Sequence, residues 1–486
     1  MKILLASSEA VPFAKTGGLA DVATGLAKAL QDLHHDVTLV IPYHRQQVSP
    51  SLLVERTSTV LSVPIADRLV AASVCRSRIP GSEVEVLLID QPQYFDRPAL
   101  YTAGGVDYSD NCERFVFFSR AVLEAARATD LRPDIVHAND WQTALIPPLL
   151  AIEYRSRPEF ARTGAILTIH NMAFQGRYWQ WDMRLTGLDW KYFNWRQLEF
   201  WGDLNLLKGG IVFSDVITTV SPTYAREICT PEFGWGLDSV LQERGSDLVG
   251  ILNGVDVAEW DPATDPCLPQ RYGIGDWPRG KAACKAHLQA RFGLHADPKA
   301  PLLSMITRLT DQKGLDLVAA GLPELLREGI QVAFLGTGEQ RYEGFVREAA
   351  SMHPRQVAAV VGFDESLAHQ LEAAADIYLM PSKFEPCGLN QQYSMRYGTP
   401  PIVHSVGGLA DSVVDPSQAN GRPATGFVFD RYDPGVFLWK TREALRTFHD
   451  RPAWERIVTN GMQRDCSWRA SAAQYVAQYE RALARH

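Results

Sequence analysis

Ile377-Tyr378-Leu379-Met380-Pro381-Ser382-Lys383-Phe384-Glu385-Pro386-Cys387-Gly388-Leu389-Asn390 decides how this chain is organised. Residues 377–380 read as a short buried strand, and the residues after Asn390, with Tyr393 and Met395, read as a helix. Pro386 and Gly388 break the backbone between the two, so Glu385 falls on a strand-to-helix loop. In an open parallel sheet such loops lie at the carboxyl edge, where ligands bind. The N–H groups of Gly388, Leu389 and Asn390 open the helix and favour an anion. A carboxylate beside an anion site implies a ligand with one negative part and one hydroxyl-rich part. A sugar nucleotide has that composition.

The same strand-loop-helix grammar runs outward in both directions. Apolar runs at 2–6, 37–41, 84–89, 135–138, 165–169 and 216–220 alternate with helical patterns such as 20–33. After residue 245 the alternation restarts, with runs at 248–252, 302–306, 332–335, 357–361, 377–380 and 401–403 and a helical pattern at 370–375. This predicts an α/β fold of two doubly wound Rossmann-like domains. The turn signal Asn253-Gly254-Val255-Asp256 and the Pro-, Asp- and Gly-rich stretch 261–280 place a hinge near 245–260. The expected division is 1–245, 246–468, and an amphipathic helix at 469–486 that packs back on the first domain.

A chain of 486 residues is long for one domain, and 46% hydrophobic residues suffice for two cores. A formal net charge of −8 argues against a nucleic-acid partner and suits a neutral polymer or a small molecule. Seven scattered cysteines without a Cys-x-x-Cys pair read as reduced thiols of a cytoplasmic protein. The apolar start is cut by Ser7-Ser8-Glu9 and reads as a first strand rather than a leader. No stretch approaches the ~20 apolar residues of a membrane span. With no Asp-x-Asp, His-Glu-x-x-His or cysteine pair at zinc spacing, no metal site is expected.

Several polar groups fall on predicted strand ends. Lys15-Thr16-Gly17-Gly18 places a lysine before a glycine-rich helix start, a phosphate cradle without the P-loop spacing. Gly17-Gly18-Leu19-Ala20-Asp21 is echoed by Gly407-Gly408-Leu409-Ala410-Asp411, giving two helix starts where backbone N–H groups could meet a phosphate. Arg308-Leu309-Thr310-Asp311-Gln312-Lys313-Gly314 carries two cations on one loop, a fork and a movable point charge. Gly336-Thr337-Gly338-Glu339 is another place of close backbone approach. His137, Asp140, His170 and Tyr94 sit at corresponding strand ends and together form a polar cleft. The aromatic cluster Tyr178, Trp179, Trp181, Trp190, Tyr192, Phe193, Trp195 and Trp201 reads as core or interface packing, with sugar stacking as the alternative.

These motifs, taken together, resemble the bacterial glycogen synthases and plant starch synthases, retaining glucosyltransferases of GT-B architecture. The likeness spans nearly the whole chain. It is carried by Lys15 to Asp21, Tyr94-Phe95-Asp96-Arg97, His137-Ala138-Asn139-Asp140-Trp141, Thr168-Ile169-His170-Asn171, Asn253-Gly254-Val255-Asp256, Arg308 to Gly314, the Glu385 loop and Gly407 to Asp411. It implies two Rossmann-like domains facing across a cleft that closes on the substrate. The implied reaction is hexosyl transfer of glucose from ADP-glucose to the non-reducing end of an α-1,4-glucan such as glycogen, without a metal or prosthetic group. Lys15, Arg308 and Lys313 would hold the diphosphate beside Gly17, Gly18, Gly336 and the N–H groups near Leu389. Glu385 would bind glucose hydroxyls in a pocket lined by Cys387, Gly388 and Asn390, and Phe363 would lie by the adenine. His170 would stand at the reacting sugar, while Asp140, Tyr94 and Asn253 position donor and acceptor and His137 and Asp21 line the acceptor side. Tyr393 stands where related transferases often carry a second glutamate, Phe363 where tyrosine is common and Asn390 where threonine is frequent. The competing readings are a UDP-glucose-dependent GT-B glucosyltransferase and a non-catalytic glucan-binding protein. The sequence leaves the oligomeric state open.

Overall fold

Apolar runs without alternation give strands buried on both faces, and the first, β1 (Lys2–Ala6), becomes the central strand of a nine-stranded sheet. The computed structural model describes residues 1–486. In chain order the first unit contains β2 (Asp36–Pro42), β3 (Glu55–Ile65), β4 (Arg68–Arg78), β5 (Glu85–Asp90), a small hairpin of β6 (Thr102–Ala103) and β7 (Val106–Asp107), then β8 (Ile135–Asn139) and β9 (Gly164–Ile169). There follow β10 (Arg177–Tyr178), β11 (Glu199–Phe200) and β12 (Asp203–Asn205), which form a separate three-stranded sheet, and finally β13 (Val216–Thr219) and β14 (Leu248–Gly250). The large sheet is ordered β14-β13-β9-β8-β1-β2-β5-β4-β3. It is parallel from β14 to β5, and the antiparallel ribbon β3–β4 extends one edge. That ribbon was not foreseen, because its exposed, alternating residues carry none of the continuous apolar runs that betray a central strand.

Two compact units divide the chain: Met1–Gly254 with Trp468–His486, and Val255–Ser467. The division falls later than the expected residue 245. Leu248 pairs with Ile217, so β14 completes the first sheet instead of opening the second. Sequence order alone could not reveal which sheet would accept this strand.

The helix Trp468–Leu483 belongs to the first unit, with Trp468, Ser471, Ala472, Tyr475, Tyr479 and Ala482 turned inward at helical spacing. It lies against the helix Gly18–Asp32, and Ser471 Oγ donates to the Leu252 carbonyl at 2.6 Å. Gly25 makes the contact possible, because a Cβ there would stand 2.1 Å from Trp468 Nε1. Two effects of Gly25→Ala therefore compete. Helix propensity favours alanine by about 1 kcal/mol, whereas overpacking a buried ring costs about 1–3 kcal/mol or more. Steric overlap wins, so the variant is expected to unfold at a lower temperature than wild type in differential scanning calorimetry.

The second unit holds a fully parallel sheet of β15 (Leu302–Ile306), β16 (Gln331–Gly336), β17 (Val357–Val361), β18 (Ile377–Met380), β19 (Pro401–His404) and β20 (Phe427–Phe429), ordered β17-β16-β15-β18-β19-β20. Strand order reverses between β1 and β8 in the first unit and between β15 and β18 in the second. Those two switch points are where open parallel sheets bind ligands. No helix of the chain is long and apolar enough to cross a membrane.

Candidate active site

At the β15/β18 switch point the two loops singled out in the sequence meet. Lys313 Nζ forms a short ion pair with Glu385 Oε2, both side chains being nearly buried, and Ser382 Oγ donates to the same oxygen at 3.2 Å. The carboxylate that looked misplaced beside an anion site is thus neutralised by that site's own lysine. An ammonium has three donors, so Lys313 can keep Glu385 and still reach a ligand oxygen. Arg308 is exposed and makes no ion pair, which leaves its five donors available. On the same face Asp311 binds Lys383 and accepts from Tyr342 at 2.8 Å.

Glycines make this loop cluster possible by close backbone contact. A Cβ on Gly314, which has φ +75°, would meet the Pro381 carbonyl oxygen at 2.1 Å, and one on Gly407 would meet that of Glu385 at 2.0 Å. Gly408 N–H donates to the carbonyls of Glu385 and Pro386 at 3.1 and 3.0 Å. The second Gly-Gly element therefore clamps the Glu385 loop, and this N–H is already committed rather than offered to a phosphate. Gly336 serves a similar end, with its Cα packed where a Cβ would lie 1.8 Å from Thr307 O. Asn390 departs from its expected place in the ligand pocket, because its Nδ2 donates to the Ile306 carbonyl at 3.1 Å and ties the helix start to β15. Cys387 is buried, Gly388 and Leu389 are half-buried, and Phe363 is 84% exposed at the end of β17, with its ring face open.

In the first unit the loop after β1 is organised by an acidic residue whose local sequence marks only the end of the first apolar run. Glu9, 3% exposed, accepts from Thr16 N at 2.5 Å, Thr16 Oγ1 at 3.0 Å, Gly17 N at 3.3 Å and Tyr101 OH at 2.9 Å. The N–H of Gly17, expected to face a phosphate, is spent on this internal anion, together with that of Thr16. Gly18 opens the helix itself, and Lys15 reaches out from the turn to Asp21 at 2.8 Å. Burial raises the Glu9 carboxyl above its ordinary value against the pull of those donors. A lone acidic residue one position past a Ser-Ser pair gives no spacing signal; its place beside β8 emerges only from the sheet order.

Asp140 and His170 come together at the ends of β8 and β9. Asp140 Oδ1 accepts the His170 N–H at 2.6 Å. The residue holds a left-handed φ of +55°, a strained conformation of the sort that gathers at functional sites. His170 Nε2 pairs with Asn139 Oδ1 at 2.9 Å, and Asn139 Nδ2 donates to Ala6 O at 3.1 Å, linking β9 through β8 to β1. Burial lowers the imidazole pKa to about 3, so His170 is neutral and keeps Nδ1 as an acceptor.

Two other expected members stand elsewhere. His137 is fully buried, its Nδ1 2.9 Å from Tyr479 OH on the C-terminal helix and its Nε2 2.6 Å from Thr168 Oγ1. It is the middle residue of β8, not its carboxyl end, and its side chain binds the helix Trp468–Leu483. Tyr94 is buried with its hydroxyl committed to Glu113; the tyrosine that reaches the Glu9 carboxylate is Tyr101. Asn253 is buried at the end of the first unit.

Burial also raises the Asp140 pKa to about 7. The unfolded chain ionises this group near 3.8, so its contribution to stability is complete below that pH and is lost as pH rises through 7. Asp140→Asn keeps an acceptor for His170 N–H and removes the titration. Relative to wild type, the variant is expected to gain stability between pH 5 and pH 8, on the order of a few kcal/mol, in urea unfolding.

Two overlapping groupings of ligand-type side chains lie apart, Asp265 with Cys267 and His369, and Glu259 with Glu365 and the same His369. Asp265 Oδ2 there accepts from His369 at 2.8 Å and Tyr397 OH at 2.6 Å, while Trp260 stacks on the imidazole with centroids 3.9 Å apart. These contacts fasten the segment after the unit boundary to the second core.

Two units built on parallel sheets, with cations and a carboxylate at one switch point and a polar Asp-His pair on the strand ends beside the other, define a glycosyltransferase of the GT-B class. Residues 2–243 match the starch synthase catalytic domain family and residues 288–463 match the glycosyl transferases group 1 family. The chain belongs to the glycogen synthase family and is a glucan-synthesising transferase. It is 49% identical to a glycogen synthase of Anaeromyxobacter dehalogenans (strain 2CP-1) over 99% of this chain and 98% of that protein. It is 43% identical to a glycogen synthase of Rhodopirellula baltica over 99% and 98%. Among solved structures, the catalytic domain of starch synthase IV from Arabidopsis thaliana, bound to ADP and acarbose, superposes with a TM-score of 0.91 at 34% identity, covering 100% of this chain and 99% of that one. A sucrose-phosphate synthase from Thermosynechococcus elongatus, at 17% identity and a TM-score of 0.60 over the full length of both chains, shares the fold alone.

Proposed function

We propose that this protein transfers glucose from ADP-glucose to the non-reducing end of an α-1,4-glucan with retention of the α configuration. The observation that carries the reading is the Lys313–Glu385 pair at the β15/β18 switch point. It sets a hydroxyl-binding carboxylate against a phosphate-binding cation, as a nucleotide sugar demands. That the related starch synthase IV was solved with ADP supports adenine as the base, and exposed Phe363 offers it a face for stacking.

In this reading Lys313, Arg308 and Lys15 hold the diphosphate and stabilise the charge it gains as the bond to the sugar breaks. No metal is required for that neutralisation. Glu385 accepts from glucose hydroxyls with Cys387 and Gly388 beside it. Asp140 and His170 fix the reacting sugar and the acceptor, and the neutral imidazole accepts a hydrogen bond from a sugar hydroxyl without taking its proton or adding charge next to the developing cation. A nucleophilic carboxylate would invert twice, as in retaining hydrolases. Glu9 carries four internal hydrogen bonds and Asp140 is engaged by the backbone N–H groups of His170 and Asn171, so neither suits that role. A front-face path fits better: the C1–O bond to ADP breaks, the departing phosphate takes the proton of the acceptor hydroxyl, and that oxygen bonds C1 on the same face. The absence of bridged cysteines supports a reducing, cytoplasmic setting.

The test is incorporation of labelled glucose into glycogen from ADP-glucose and UDP-glucose in parallel, with and without chelator. Transfer from ADP-glucose that survives chelation, into product cleaved by an α-1,4-specific amylase, is the expected result. Preference for UDP-glucose would overturn the donor assignment, loss on chelation the metal-free cradle, and no transfer from either donor the catalytic reading.

A further inference from the structure

Six of the twelve tryptophans fall between residues 179 and 235 of the first unit, and Trp179, Trp181, Trp190, Trp195, Trp201 and Trp235 are 44–80% exposed. The sequence reading favoured core packing for this cluster. Scattered exposed apolar residues are ordinary, but a contiguous aromatic patch marks a binding surface. Contiguity is what the geometry shows. Trp179, Trp181, Trp190 and Phe193 follow one another with centroid separations of 6.3, 5.4 and 5.5 Å, each edge-on to the next at 65–69°. Each edge-on contact covers one face of one ring of the pair and leaves the other ring's faces free of that partner, whereas a parallel stack would cover a face of both.

The patch is held rigid at some expense. Lys208, 4% exposed, sends its ammonium to the carbonyl oxygens of Trp195 and Glu199 at 2.5 and 2.6 Å, although burial lowers its pKa. Few chains place a buried cation under a surface loop unless the loop's shape matters. Arg196 covers the Trp195 ring at 4.9 Å, and Asp189 caps the turn Trp190–Tyr192.

We propose that these tryptophans form a docking ridge for the polymer itself: a run of an α-1,4-glucan chain lies across them, away from the reacting end. The chemistry favours this occupant. Open indole faces match the C–H faces of glucose rings, and the side chains between them, among them Gln180, Asp182 and Lys191, can meet the rim of hydroxyls. The ridge also continues from the catalytic edge, since Tyr178 on β10 touches Trp141, the neighbour of Asp140, at 6.0 Å, and Gly176 packs on that same indole. A polymer whose end reaches Asp140 and His170 can thus pass directly onto the tryptophans. The identity of the polymer rests on the function proposed above.

The test needs no donor and no turnover: retardation of the full chain in native gels containing glycogen. Wild type and the transfer-deficient Lys313→Ala chain are expected to be retarded alike. Trp179→Ala/Trp181→Ala should bind about tenfold more weakly, the loss expected when an aromatic contact is removed. Trp179→Phe/Trp181→Phe, which keeps a ring at each site, should recover most of the retardation and guards against a folding defect. The ratio of transfer to glycogen over transfer to maltotriose should fall with the alanine pair. Unchanged retardation of the alanine pair, or equal losses in the alanine and phenylalanine pairs, overturns the ridge even if ADP-glucose transfer is confirmed. So does light scattering that shows a wild-type dimer dissociated by the alanine pair, which would make a second copy the occupant. If wild type transfers nothing from either donor yet is retarded through the tryptophans, the ridge stands and the catalytic reading fails.

Discussion

Lys313→Ala lowers kcat/KM for glucosyl transfer by about 10²–10³-fold, the range seen when one preorganised group that stabilises developing charge is removed. Two losses combine. The departing diphosphate loses a cation, and the nearly buried Glu385 loses its neutralising partner and faces the incoming phosphate as a bare carboxylate. With Ser382 as its remaining donor, Glu385 in the variant is a nearly buried carboxylate without its cation, so the variant is expected to unfold at a lower temperature than wild type. Adding Glu385→Gln should restore stability at neutral pH without restoring transfer. In a double-mutant cycle the two substitutions should be strongly non-additive, as residues sharing one interaction are. Initial-rate kinetics and calorimetry on the four proteins check this; near-normal turnover in Lys313→Ala, or additive losses, would remove the pair from the site.

The second large effect is expected at Glu9. Its carboxylate is the acceptor for Thr16 N–H, the Thr16 hydroxyl, Gly17 N–H and the Tyr101 hydroxyl. Each buried donor left unmet costs about 1–3 kcal/mol, but the turn is partly open, so water recovers some of that in Glu9→Ala. The functional loss should exceed the structural one. Lys15 stands on this turn, and displacement of a positioning element by about 1 Å can cost about 10²-fold in rate. Glu9→Gln, which retains one acceptor oxygen but turns an amide donor toward the same N–H groups, should fall between. Amide exchange at Thr16 and Gly17 measured alongside ADP-glucose kinetics separates the two contributions. Retained amide protection with unaltered kinetics in Glu9→Ala would show that the carboxylate does not hold the turn.

Much of this is legible in the sequence because the signals are local. Continuous apolar runs located nearly every parallel strand to within a residue or two, since strands covered on both faces admit few polar positions. The Lys313 and Glu385 loops were found because each couples a strand end to a glycine and a charge within ten residues. The missed features depend on distant neighbours. Strand β14 joined the first sheet through pairing with β13, and His137 turned out to serve a helix 342 positions further along the chain. The Gly407-Gly408 echo of Gly17-Gly18 is real in sequence and different in use: one N–H there clamps a carbonyl, while the first pair sits in a turn held by Glu9.

The sequence by itself determined the two-sheet α/β class, the loops that carry cations and the Glu385 carboxylate, and the family. Backbone periodicity and turn chemistry act over a few residues, so they are written directly in the chain. Only the tertiary structure decided that Lys313 neutralises Glu385, that Glu9 occupies the N–H groups of the first glycine turn, and that Tyr101 reaches it. It also decided that the tryptophans face solvent instead of a core. Each of these depends on which strand lies beside which, and strand order is set by burial summed over the whole sheet, a quantity no local stretch contains.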